Sequence, residues 1–87
     1  MNLNKLGENT FLPEITHIST HGIWLLTQQQ EELFMPYESF PWFKDAPVGK
    51  ILHVEELSPD HYHWPELDID LTREIIAHPD KFPLTAQ

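Results

Sequence analysis

The architecture turns on YHWPELDIDL, residues 62–71. Past Pro65, apolar and acidic residues alternate: Leu67, Ile69 and Leu71 against Glu66, Asp68 and Asp70. A period of two marks a strand with one face in the core and the other in water. Pro65 brings no N–H to a ladder, so its position reads as an edge or a bulge. On this reading the segment is one strand, the fifth, and its three carboxylates form a row on the wet side. Just upstream, SPDH (residues 58–61) is turn chemistry, because Pro59 presets φ and Asp60 tolerates the bend. The strand therefore pairs back as a hairpin with KILHVEEL, residues 50–57.

Working outward, EITHIST (residues 14–20) is rich in β-branched residues that favour a pleated backbone. IWLLT (residues 23–27) follows it across His21-Gly22, where glycine can supply the positive φ of a tight turn. QQQ is a polar turn or strand continuation, and EELFMP (residues 31–36) is a third strand that Pro36 ends. YESFPWFKDAP reads as one or two short helical turns that pack on the sheet through aromatics, with Pro41 opening the turn. TREIIAH (residues 72–78) is a closing helix. Asp70 or Thr72 can cap it and Pro79 stops it. The order β-β-β-α-β-β-α defines an α+β domain on a mostly antiparallel sheet with short helices packed on it. Residues 1–12 are polar and read as a flexible arm, and residues 13–87 as a single domain.

The chain has 87 residues, no cysteine, and fourteen acids against five bases, for a formal charge of −9. That length gives one small domain, and without thiols its stability comes from apolar burial. No apolar run approaches the ~20 residues that span a bilayer, and the start lacks the layout of a secretory signal. These features point to a bacterial-type cytoplasmic protein. The acidic balance repels phosphate backbones and disfavours direct nucleic-acid binding; it suits a basic protein partner, or simply keeps the chain soluble.

Three stretches between residues 20 and 84 also carry a resemblance. THGIWLL, ELFMPYESFPWFKDAPVGKI and YHWPELDIDLTREIIAHPDKFPL are similar to the bacterial family catalogued as domain of unknown function 2442, from about Ile15 to Leu84. The resemblance implies a small α+β domain with no established activity, so no catalytic residue carries over. It further implies a stand-alone member of a two-gene pair. The other product would be a small protein of the domain of unknown function 4160 family, and the pair would be of the toxin–antitoxin kind.

Three constellations bear on chemistry. The acids Glu66, Asp68 and Asp70 can be imagined around a hard cation, but a straight strand cannot wrap an ion that wants six or more oxygens. A solvent face needs no added assumption. His61 and His63 form an H-x-H pair that suits Zn²⁺, with Glu66 or Asp60 as a conceivable third ligand; the spacing signal is weak. These histidines and the nearby carboxylates define the alternative function, a metal-binding protein or enzyme. In FPWFKD two of the aromatics belong in the core, and Trp42 is the candidate for exposure, with Trp64 near the same cluster. The serines lie in no nucleophile-elbow context, and three glycines build no phosphate loop, which leaves an enzyme without visible machinery. No cofactor is called for.

The expected function is accordingly an acidic, antitoxin-like protein-binding module. Its contact residues are Trp42, Trp64, Glu66, Asp68 and Asp70, its partner is a small basic protein, and an open strand edge near Pro65 permits a homodimer. Six histidines make such association sensitive to pH between about 5 and 8.

Overall fold

The computed structural model describes residues 12–82, so the arm assigned to residues 1–12 lies almost wholly outside the described residues. Six strands form two three-stranded antiparallel meanders. The first contains β1 (Glu14–Ile18), β2 (Gly22–Leu26) and β3 (Glu32–Pro36). The second contains β4 (Glu55–Ser58), β5 (His61–Trp64) and β6 (Ile69–Thr72). Between them lie a 3₁₀ turn, Pro41–Phe43, and a short helix α1, Val48–Leu52. Helix α2 (Arg73–Ala77) and a 3₁₀ turn at Pro79–Lys81 complete the described chain. The α+β class stands, and so does the expected succession of strands, short helix, strands and closing helix; the mostly antiparallel sheet is divided in two, and its second part has one strand more than expected.

The first meander follows its apolar pattern. Ile15, Ile23, Leu25, Leu33 and Met35 point inward and are buried. Trp24 and Phe34, paired across β2 and β3, stack on the other side at 5.0 Å between ring centroids. The β1–β2 turn is held by Ser19, whose hydroxyl accepts from the His21 and Gly22 N–H groups. Gly22 does not provide a positive φ, since no glycine among the described residues has one. It is needed for closeness. A Cβ there would run into the Met35 carbonyl oxygen and come within 2.8 Å of Pro36 Cα. QQQ is a turn, with Gln30 at φ 68° and its N–H donating to the Thr27 carbonyl.

Two expected elements are redrawn. The fourth strand, expected over 50–57, begins only at Glu55, because Pro47 opens α1 and that helix takes up Lys50–Leu52. The single fifth strand is in fact a hairpin. Pro65 is neither a bulge nor an edge residue within a strand. It sits at the second position of a turn closed by the Leu67 N–H donating to the Trp64 carbonyl at 3.1 Å. Asp68 then takes φ 57°, and β6 returns alongside β5 with Trp64 opposite Ile69 and His63 opposite Asp70. The row of acids is thereby broken up. Glu66 and Asp68 are turn residues and only Asp70 is on a strand.

Both meanders close over one core. Phe40 and Phe43 from the connection, Ile51 from α1, Tyr62, Trp64, Ile69 and Leu71 from the second sheet and Ile76 from α2 join the first-sheet aliphatics. Trp64 is 0% exposed, meets Phe43 edge-on at 5.0 Å, and donates its indole N–H to the Ile51 carbonyl at 2.9 Å. The cap of α2 is Thr72, whose hydroxyl accepts from the Ile75 N–H. Arg73 ties α2 to the β2–β3 turn through a two-point bond to Glu31, at 2.8 and 2.6 Å. No described helix is long and apolar enough to cross a membrane.

Candidate partner-binding face

The register of the second sheet places every second side chain on its open face. Opposed residues across antiparallel strands share a face, so Glu55, His63 and Asp70, which pair in sequence across β4, β5 and β6, stand side by side. His61 lies two residues from His63 on that same face. His63 Nδ1 is 2.7 Å from Asp70 Oδ1, and His61 Nε2 is 3.5 Å from the same oxygen. At one border His53, just after α1, reaches Glu66 Oε2 with Nδ1 at 2.7 Å and Glu55 Oε2 with Nε2 at 3.2 Å. The hydrogen bond to Glu66 first, and that to Glu55 second, raise the His53 pKa above its ordinary value. The result is an alternating row, Glu66–His53–Glu55 beside His63–Asp70–His61.

The sequence-derived contact residues fare differently. Trp42 is 40% exposed, while its neighbours Phe40 and Phe43 are buried. Trp42 lines a depression of about 280 Å³ with Leu67, Asp68, Ile69 and Asp70. The structure thus brings Trp42, Asp68 and Asp70 together across the β5–β6 hairpin. Glu66 does not line that depression and is bonded to His53 instead. Trp64 is withdrawn from the surface altogether, because the alternation of β5 turns Tyr62 and Trp64 inward and the histidines outward. As a partner contact Trp64 is therefore corrected to a core residue.

The imagined third ligands of the H-x-H pair are likewise not at hand. Asp60 is in the β4–β5 turn and Glu66 is taken up by His53. Among the described residues, no set of three or more histidine and carboxylate side chains is arranged to hold a metal ion. The residues that sequence reasoning passed over are His53 and Glu55. No local pattern links His53 to Glu66, since the Pro65–Asp68 turn is what brings them together. Larger depressions exist elsewhere. One of about 560 Å³ is lined by His21, Phe34, Pro36, Tyr37 and Lys44 among others, and it gathers no network of paired charges.

Two antiparallel meanders that share one aromatic core, with a histidine–carboxylate face outward, define a small α+β protein with a polar sheet surface. The family model described as "Protein of unknown function (DUF2442)" matches residues 13–82, and the chain belongs to that family. No curated protein and no solved structure matches the chain.

Proposed function

We propose that this chain is a cytoplasmic protein-binding module, the antitoxin-like member of a two-gene pair, which covers a basic surface of a small partner protein. The observation that carries this reading is the convergence of Trp42, Asp68 and Asp70 on one depression beside an open, carboxylate-bearing sheet face. A half-exposed aromatic is the type of residue that anchors interfaces, and ionised carboxylates around it select a cationic counterpart. The net charge of −9 would speed encounter with a basic protein and repel a nucleic acid. The family resemblance supplies the candidate, the neighbouring gene's product of the domain of unknown function 4160 family.

Co-expression of the two proteins with a tag on one tests this directly. The untagged chain should co-purify at low salt and be released progressively as ionic strength rises, since rim charges are screened. Failure to co-purify at low salt would overturn the proposal.

A further inference from the structure

We infer that the depression between Trp42 and the β5–β6 hairpin seats a single arginine side chain of a partner protein. This rests on the reading of the chain as a protein-binding module. The depression, about 280 Å³, is lined by three apolar residues, Trp42, Leu67 and Ile69, and by two carboxylates, Asp68 and Asp70. It falls below the ~300–1,000 Å³ typical of small-molecule sites, so it has the size for one side chain. Its lining matches a side chain with an apolar stem and a cationic end.

The carboxylates have capacity to spare. His61 and His63 both approach Oδ1 of Asp70, leaving Oδ2 without a hydrogen bond among the described residues. The side chain of Asp68 makes none among the described residues either. A guanidinium offers planar, forked donors that can serve two carboxylates at once and can stack on the indole of Trp42. An ammonium is a compact, strongly hydrated charge that does neither as well. The occupant must come from outside. The chain's one arginine, Arg73, is held by Glu31 at the far end of the hairpin's return strand.

The test is a ¹H–¹⁵N NMR titration of the full chain at pH 7.5 with N-acetyl-arginine methylamide, and separately with its lysine counterpart. The arginine probe should shift the Trp42 indole N–H and the Asp68–Asp70 amides, and do so at lower concentration than the lysine probe. Trp42→Ala should weaken the response roughly three- to tenfold, as expected for a lost cation–π contact. Asp68→Asn should weaken it too, and asparagine tolerates the left-handed backbone there, so the turn is kept. Shifts elsewhere only, an equal response to lysine, or no effect of either variant would overturn the inference. A co-purifying partner indifferent to both variants would also overturn it while leaving the binding-module reading in place. A responsive depression without any co-purifying partner would do the reverse.

Discussion

His53 touches a carboxylate with each ring nitrogen, and only the imidazolium has an N–H to donate at both. Its folded pKa is therefore raised above the ordinary 6.5, chiefly by Glu66 and then by Glu55. A raised pKa means the contact contributes fully below about pH 6.5 and is lost as pH climbs through the raised value. His53→Gln should thus destabilise the chain at pH 6, and the gap from wild type in urea midpoints should close toward pH 9. Salt should narrow it as well, because all three groups are exposed. Tyr62 titrates in the opposite region. Burial, then the nearby Glu56, Asp60 and Glu31, push its pKa up to about 12, and its hydroxyl has no hydrogen-bond partner among the described residues. The unfolded chain releases this proton near pH 10, so folding loses stability above that pH. Tyr62→Phe removes an unpaired buried hydroxyl, and should be neutral or stabilising by up to about 1 kcal/mol at pH 7 and more tolerant of pH 11 in thermal melts. Gly22→Ala should go the other way. Its Cβ meets backbone of β3, not the tip of a flexible side chain, so about 1–3 kcal/mol of stability should be lost, readable in a urea titration.

The β5–β6 hairpin depends on one residue accepting a left-handed backbone, Asp68 at φ 57°. Aspartate and asparagine visit that region more readily than other side chains. Asp68→Ala should therefore cost about 1 kcal/mol, Asp68→Asn almost nothing, and Asp68→Gly should be neutral or better, as measured by denaturant midpoints. This turn also explains which parts of the fold were legible beforehand. Alternation correctly placed Ile69 and Leu71 in the core, because a two-residue period reads the same in a short strand as in a long one. It could not show that the strand started after Asp68, since Pro-Glu-Leu-Asp has no Asn-Gly or Gly-Gly mark of a reversal. The proline was the cue, and the second position of a turn suits it better than a ladder does. Pro47 was the equivalent cue for α1, hidden by the β-like run from Ile51 to Val54. A turn with a stronger mark was plain from the residues: Pro59-Asp60 reverses the chain with Asp60 at φ 64°; of the two cap candidates, Asp70 and Thr72, it is Thr72 that caps α2. The candidate site was less legible for the same reason. Its members lie on two segments far apart in sequence, Trp42 and residues 67–70, and they come together only once the unforeseen hairpin has folded back.

At the scale of the molecule, neither meander has a core of its own. The inward aliphatics of β1, β2 and β3 belong to the same cluster as Tyr62, Trp64, Ile69 and Leu71, with Phe40 and Phe43 among them. A three-stranded sheet needs an apolar cover to be stable by itself, and here each sheet takes its cover from the other and from the connection. Phe43 is fully buried and set edge-on against Trp64, so it is a sensitive point at which to test that dependence. Truncating a buried phenylalanine costs about 3–5 kcal/mol, a large share of the roughly 4–13 kcal/mol expected for a chain of this length. Phe43→Ala should lower the free energy of opening for the slowest-exchanging amides of β2 and of β5 by the same amount. Amide hydrogen exchange on the intact chain reports both strands in one experiment. Equal losses mean that the two sheets unfold as one cooperative unit, and that a partner binding on the open face of the second sheet stabilises the first as well. A loss confined to β5 would show two units, and the candidate binding face would then rise and fall without the first meander.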